Sequence, residues 1–286
     1  MSGAGASQDS GVRLGIIAGG GSLPFEVAKA AQEAGHRPFV IALAGNAGKD
    51  IEQFPHAYIG VGQIGRMLRL LRREKCSAIV IVGSLRRPNL LRLKFDSGFV
   101  WNLPTLLRLM KGGDDSLMRR IARFFEERGF ELRASHDFAP NLLAPAGIFS
   151  RAKPSPEAMG DIKLGFQVAK ALGAFDIGQA VVVAQNYVLA VEAAEGTDAM
   201  IARCGPLNKW GVKEKRGVLV KAPKPGQDMR LDLPAIGPKT VELAAASSLA
   251  GIAVQAHQVL LADQAALVEK ADSLGLFLYG ARADEF

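Results

Sequence analysis

Four carboxylates, Glu195, Asp198, Asp228 and Asp232, and three cations, Lys221, Lys224 and Arg230, fall in two stretches rich in glycine, proline and threonine. The stretches read Glu195-Gly-Thr-Asp198 and Lys221-Ala-Pro-Lys-Pro-Gly-Gln-Asp228-Met-Arg-Leu-Asp232-Leu-Pro. Acids and bases mixed in a turn-rich setting are what a metal-bound phosphate ester requires. Hard oxygen ligands hold Mg²⁺, while fixed cations neutralise the phosphate oxygens that the metal does not reach. A solvated loop with ordinary surface charge has the same spacing, and the pattern alone leaves both readings open. No Ser-His or Cys-His nucleophile pairing is apparent, which leaves direct attack by water on phosphorus as the chemistry to expect here.

A second candidate lies near the start of the chain. The apolar run Leu14–Ala18 leads into Gly19-Gly20-Gly21-Ser22, and a helix is expected from Leu23 to Ala34, with Ser22 as N-cap and Pro24 in its first turn. At such a turn, bare backbone N–H groups and the helix dipole face an anion. The details exclude the common cofactors. Pro24 occupies the place of the third glycine of the dinucleotide fingerprint, the next strand ends in Leu43-Ala44-Gly45 with no acid for a ribose, and no Lys-Ser or Lys-Thr follows. The turn reads as holding part of a substrate rather than NAD or ATP, and tight strand-to-helix packing accounts for a glycine triplet equally well.

The elements that must position these residues alternate. Strands are expected at Leu14–Ala18, Pro38–Leu43, Tyr58–Val61 and Ser77–Val82, with a helix over Ile64–Arg73 and a last strand near Glu131–Ala134. Strands alternating with helices imply a parallel sheet, whose ligands sit beyond the carboxyl strand ends, here Gly19 to Ser22 and Gly83-Ser84 to Arg87. The composition around Lys153-Pro-Ser-Pro156 marks a boundary. Beyond it come a helix over 156–172, two β-rich runs joined by the hairpin signal Gln185-Asn186, a helix from Thr197 capped by that residue, and a strand over 217–221. The fold class is therefore α/β: a disordered tail over 1–12, an N-terminal Rossmann-like domain over 13–145, a linker over 146–156, and a catalytic α/β or α+β domain over 157–286.

Net charge is +7, which favours an anionic partner. With aromatics at 7% and no nucleic-acid motif, a nucleic acid is not the expected partner; an anionic lipid surface or a nucleotide diphosphate explains the charge. From Arg86 to Trp101 cations mix with bulky apolar residues, which fits a surface that handles lipid, while core packing is the alternative for the apolar members. Arg69, Arg72 and Arg73 read as the wet face of their helix. Cys76 and Cys204 have no partner spacing and suit a reducing compartment as inert core thiols. No signal peptide is evident in 1–11, and no apolar run reaches the ~20 residues of a membrane span.

The order of motifs resembles a known family. Leu14-Gly-Ile-Ile-Ala-Gly-Gly-Gly-Ser-Leu-Pro-Phe25, Gly113-Asp-Asp115, Leu143-Ala-Pro-Ala-Gly147 and Gly178-Gln-Ala-Val-Val-Val183 are similar to the metal-dependent UDP-2,3-diacylglucosamine pyrophosphatases of lipid A synthesis, the form unrelated to calcineurin-like phosphoesterases. Val188-Leu-Ala-Val-Glu-Ala-Ala-Glu-Gly-Thr-Asp198, Lys224-Pro-Gly-Gln-Asp228 and Asp232-Leu-Pro-Ala-Ile-Gly-Pro238 continue the resemblance to about residue 280. Ala146 departs from it, standing where the family pattern has an acid.

The resemblance implies a two-domain cytoplasmic enzyme, peripheral on the inner membrane and homodimeric, with its substrate between the domains. It would cleave UDP-2,3-diacylglucosamine to UMP and 2,3-diacylglucosamine 1-phosphate with Mg²⁺ or another divalent cation. On that reading Asp228, Lys224, Glu195 and Asp198 carry catalysis, and Asp228, Asp198 and Asp232 are the metal ligands. Gly19, Gly20, Gly21, Ser22, Leu23, Gly83, Ser84, Arg87, Thr197, Lys221, Gln227 and Arg230 bind substrate. The rival reading is a nucleotide-sugar binding or regulatory protein without turnover.

Overall fold

In the computed structural model, the described residues are 11–84, 114–207, 217–231 and 233–286, with the backbone alone described at 114–117. They divide into two compact units, one of residues 11–84 and 116–139 and one of residues 140–286 together with 114–115. Residues 1–10 of the expected tail, the basic and apolar stretch 86–101 with Arg87, and Asp232 lie outside the described residues. Gly11 and Val12 are not part of a tail. The N–H of Val12 donates to the Nδ1 of His36 at 3.2 Å, and its carbonyl accepts the N–H of Arg37 at 3.0 Å.

The first unit is a five-stranded sheet in the order β3-β2-β1-β4-β5. Its strands are β1 (Arg13–Ala18), β2 (Arg37–Leu43), β3 (His56–Ile59), β4 (Ala78–Val82) and β5 (Glu131–Leu132), all paired in parallel. The continuous apolar runs of β1, β2 and β4 are what a parallel sheet covered on both faces demands. The third strand starts two residues earlier than the sequence suggests. Gly60 leaves the ladder because its N–H is taken by the Oε1 of Gln63 at 2.9 Å, turning the chain toward the helix Ile64–Arg73. That helix buries Met67, Leu68, Leu70 and Leu71 and exposes Arg66, Arg69, Arg72 and Arg73, the amphipathic stripe expected of it. Cys76 is buried beside it, and burial pushes its thiol up to about 11.

The second unit centres on a six-stranded sheet in the order β6-β13-β11-β9-β7-β8. Here β9 (Val218–Lys221), β11 (Gly251–Gln255) and β13 (Phe277–Ala281) run parallel, while β7 (Ala180–Ala184), β8 (Tyr187–Val191) and β6 (Gly147–Ile148) are antiparallel to their neighbours. A two-stranded parallel ladder joins β10 (Ala235–Ile236) to β12 (Leu260–Leu261). Alternate residues of each central strand face opposite layers. Val218 and Val220 meet Ile162 and Phe166 of the helix Pro156–Gly173. Leu219 meets the opposite layer, built from the helices Thr197–Leu207, Pro238–Ala246 and Gln264–Leu274 through Met200, Val241 and Leu267.

Two local features follow from short sequence signals. Ser155 caps the helix Pro156–Gly173 by accepting the N–H of Ala158 at 3.2 Å, with proline in the first turn as such starts favour. Gln185 and Asn186 take φ of 55° and 58°, the pair of left-handed residues of a primed hairpin turn, and buried Asp161 accepts both of their N–H groups. The segment expected as a linker, 146–156, is instead knit into the second unit. Its β6 pairs with β13, Phe149 N–H donates to Leu278, and Ala152 bridges to Phe277. An apolar sheet edge left bare would be a liability, and this strand covers it.

The helix Pro156–Gly173 can lie this close to β9 because of Gly165. A Cβ there would stand 2.4 Å from the Cγ2 and 2.8 Å from the Cβ of Val220, a β-branched neighbour that is stiff at χ1. Gly165→Ala is expected to lower stability by about 1–3 kcal/mol despite alanine's better helix propensity. Urea denaturation should show a lower midpoint with an unchanged slope.

Candidate active site

Strands β9, β11 and β13 end at Lys221, Gln255 and Ala281, and the carboxyl ends of parallel strands are where open α/β sheets hold ligands. Lys221 is buried, and its ammonium donates to the hydroxyl of Thr197 and to the carbonyl of Ala235, each at 3.0 Å. Thr197 passes the interaction on, donating to the Oε1 of Glu192 at 2.7 Å. The Oε2 of Glu192 accepts the N–H of Gln179 at 3.1 Å. A buried ammonium and a buried carboxylate are thus joined through a single hydroxyl, which spares either charge an unsatisfied position in the core. Thr197 is the first residue of its helix, and its hydroxyl serves this relay rather than the capping role expected from sequence.

Beyond β9 the chain turns over Lys224-Pro-Gly-Gln227. Gln227 braces that turn from inside: its side-chain oxygen accepts the N–H of Lys224 at 2.9 Å, and its own N–H returns to the Lys224 carbonyl at 3.1 Å. The ammonium of Lys224 forms an ion pair with Asp176, and little of the lysine side chain reaches solvent. A Cβ at Gly173 would lie 2.8 Å from the Cδ of Pro225, so the helix end and this turn are in direct contact. Asp228 follows and is gripped by Arg230, whose Nη2 meets Oδ2 at 2.7 Å while Nε meets Oδ1 at 3.0 Å. This is the two-pronged geometry that guanidinium forms with carboxylate and with phosphate alike.

Glu195 and Asp198 also have cationic partners. Glu195 accepts from the Nε and Nη2 of Arg203 at 3.1 and 2.9 Å, and its carboxyl is held below the usual carboxylate range, first by its own backbone N–H and then by Arg203. Asp198 meets Lys239 at 2.6 Å in an exposed pair, and that hydrogen bond raises the Lys239 ammonium above its ordinary value. Among the described residues no three His, Cys, Asp or Glu side chains converge as a preformed metal cage. Asp228 and Asp198 supply the hard oxygens that Mg²⁺ prefers, and Mg²⁺ commonly takes one or two carboxylates and completes its shell with phosphate oxygens and water.

In the first unit the sheet order reverses at β1, and the two loops that flank the reversal are stitched together. Gly20 N–H donates to the Ser84 carbonyl at 2.7 Å, Ser84 N–H returns to the Gly20 carbonyl at 2.9 Å, and Gly19 N–H reaches Val82 at 2.9 Å. A Cβ at Gly19 would sit 2.6 Å from the Ser84 carbonyl oxygen, and Gly83 holds φ of 98° with only 2.8 Å to the Gly20 carbonyl oxygen. Gly19 and Gly83 are therefore required by loop-on-loop packing, the structural alternative left open by the sequence. Gly21 differs: it is exposed, has φ of 91°, and has nothing within 4 Å of where a Cβ would stand. Ser22 stands at the N-cap position without a side-chain capping bond, and Leu23 is buried in the core.

The structure thus gathers Gly19, Gly20, Gly83 and Ser84 in one unit. In the other it joins Thr197 with Lys221, Lys224 with Gln227, and Asp228 with Arg230, while Glu195 and Asp198 belong to separate ion pairs. Sequence reasoning missed Asp176, Gln179, Glu192, Arg203 and Lys239. Glu192 stood within a quoted motif, three residues before Glu195, and its place at the end of the β8 run was the available signal. Asp176 carried none, since its partner is distant in sequence.

Two family models match the chain: the LpxI N-terminal domain over residues 13–142 and the LpxI C-terminal domain over residues 145–279. A protein of Caulobacter vibrioides, UDP-2,3-diacylglucosamine pyrophosphatase LpxI, is 41% identical over 276 residues, covering 96% of this chain and 99% of its own. Among solved structures, the biotin carboxylase domain of the Hydrogenobacter thermophilus 2-oxoglutarate carboxylase aligns at a TM-score of 0.25 and 15% identity. That alignment covers 61% of this chain and 35% of the other, a likeness from which nothing follows here.

The relay gives a direct test. Thr197→Val keeps the side-chain shape but removes the hydroxyl between Lys221 and Glu192, costing each buried charge one hydrogen bond. Stability is expected to fall by about 1–3 kcal/mol, read by denaturant melts, and Thr197→Ser is expected to recover most of it.

Proposed function

This chain belongs to the LpxI family, and on that premise we propose that it is a hydrolase of lipid A biosynthesis that cleaves the diphosphate of UDP-2,3-diacylglucosamine to UMP and 2,3-diacylglucosamine 1-phosphate. The observation that carries the proposal is the 41% identity to a relative bearing that activity in its name, along 96% of this chain. The clustering of Lys221, Lys224, Asp228 and Arg230 at and beyond the end of β9 supports it, because cations and an acid held together suit an anhydride of two phosphates.

In the proposed reaction the oxygen of a water molecule bonds to one phosphorus. The bond from that phosphorus to the bridging oxygen breaks, and the bridging oxygen leaves with the electron pair on the other phosphate. Asp228 orients the attacking water and accepts its proton. For that it must exchange Arg230, and a phosphate oxygen offers Arg230 the same two-pronged partner that the carboxylate now provides. Lys224 and Lys221 hold positive charge beside the turn throughout, and Glu195 and Asp198 serve as further acids. A divalent cation, Mg²⁺ by the hardness of the oxygens, would be held by Asp228, Asp198 and Asp232, and would supply charge neutralisation and polarisation at the phosphates. We further propose that the enzyme works as a homodimer at the cytoplasmic face of the inner membrane.

Asp228→Ala is expected to lower kcat by roughly 10²-fold or more with KM near that of the unaltered enzyme, as for a group acting in the transition state. Phosphorus NMR of the purified protein with UDP-2,3-diacylglucosamine should show UMP accumulating with Mg²⁺ and halted by a chelator. Turnover that persists in chelator would remove the metal and leave the hydrolase. Substrate bound without turnover would leave a nucleotide-sugar binding protein instead.

A further inference from the structure

Phe175 and Ile177 flank Asp176, whose carboxylate pairs with Lys224. They are among the most solvent-exposed large apolar residues described, Phe175 at 79% and Ile177 at 42% of full exposure. Isolated apolar residues on a surface call for no explanation, but the way this pair is held does. The tripeptide follows the C-cap Ala174 of the helix Pro156–Gly173, and its backbone is pinned by the last turn. The N–H groups of Phe175, Asp176 and Ile177 donate to the carbonyls of Leu172, Gly173 and Leu172 at 3.0, 3.0 and 3.3 Å. Asp176 adopts a left-handed φ of 57° and pairs with Lys224. The segment is therefore braced at both its backbone and its central side chain, while the two apolar side chains on either side of the aspartate remain in water.

Its location gives that exposure a purpose. Ala180 of β7 is in register with Lys221 of β9, and Ala222 N–H donates to the Gln179 carbonyl at 3.0 Å. Phe175 and Ile177 thus stand at the same edge of the sheet as Lys221 and Lys224. Lys170, exposed in the last turn of the same helix, places a cation one turn away. Apolar side chains with a neighbouring lysine form the pattern that enters a lipid interface, the rings and branched chains among the acyl groups and the ammonium at the phosphates.

We propose that the Phe175–Ile177 segment is a bilayer-insertion point that seats the active edge on the membrane carrying its substrate. The inference rests on the proposed reaction, whose substrate has two acyl chains. The Asp176–Lys224 pair is internally neutral, so the apolar contribution should persist at high salt, where attraction of basic residues to anionic lipid is screened.

The test uses the full chain in flotation with phosphatidylcholine vesicles, with and without phosphatidylglycerol, at low and high salt. The unaltered protein is expected to float with neutral vesicles at high salt. Phe175→Ser/Ile177→Ser is expected to lose at least about tenfold in that binding, as the loss of a buried apolar side chain implies. Phe175→Trp/Ile177→Leu should retain it. Turnover of a short-acyl, water-soluble substrate analogue by the serine variant should match the unaltered enzyme. Unchanged flotation of the serine variant, or no flotation of the unaltered protein at high salt, would overturn the inference. Loss of activity on the soluble analogue would assign the segment to the catalytic site instead, and a change from dimer to monomer on gel filtration would assign it to contact between copies. Vesicle binding that behaves as expected in a protein without diphosphatase activity would sink the proposed reaction and leave the insertion point standing.

Discussion

The close approach of one helix to one strand governs the second unit. Helix Pro156–Gly173 crosses β9 at Gly165, where Val220 fills the space of a side chain, and reaches the Lys224-Pro-Gly turn at Gly173, where Pro225 does the same. The two glycines are eight positions apart, a little over two helical turns, so both fall on the face toward the sheet. Their smallness sets the depth at which the helix lies. That depth brings the helix's carboxyl end against the loop carrying Lys224, and so brings Asp176 within reach of that lysine. A bulkier residue at either place would push the two apart, and the ion pair would have to stretch or break.

Burial then dictates how the charges are arranged. Lys221 ends a strand whose residues are all buried, so its ammonium cannot be hydrated and must be met by protein oxygens. Thr197 and Ala235 provide them, and Glu192 balances the charge through the threonine hydroxyl. The same relay ties the start of one helix and the short β10 to the end of β9, so a single lysine coordinates three elements. Asp161 does comparable work at the far end of the sheet. Its carboxylate accepts from two backbone N–H groups of the hairpin turn.

Much of this architecture was legible in the sequence because it rests on local rules. Alternating apolar runs and amphipathic helices gave the α/β class, Gln185-Asn186 gave the hairpin, and Pro156 gave the helix start. What stayed hidden depends on strand order. Lys224 pairs with Asp176 across 48 residues and Thr197 meets Lys221 across 24, and no periodicity announces that β9 will lie between β7 and β11. The glycine turn shows the same limit from the other side. Its bend was readable, but the loop that occupies the space at Gly19 comes from Gly83 and Ser84, beyond β4. The third strand was misplaced by two residues because a glutamine side chain, not a turn residue, ends it.

Among the cations beyond β9, burial separates the fixed from the movable. Lys224 is held in a pair with 9% of its side chain exposed, and Lys221 is buried and donates to Thr197 and Ala235, so drawing either away would cost a desolvated charge its partners. Arg230 is different: 42% of its side chain is exposed, so its guanidinium stays in water if it changes partners. On the proposed reaction, a diphosphate at this edge would feel the fixed charge of two lysines and draw one arginine to it. In that reaction the swing would have a second effect, because the carboxylate it leaves behind is Asp228. On the proposed reaction, recruiting Arg230 to the phosphate and unmasking Asp228 as the acceptor of a proton from water are one and the same motion, so the acid is exposed only when there is a substrate for it to act on.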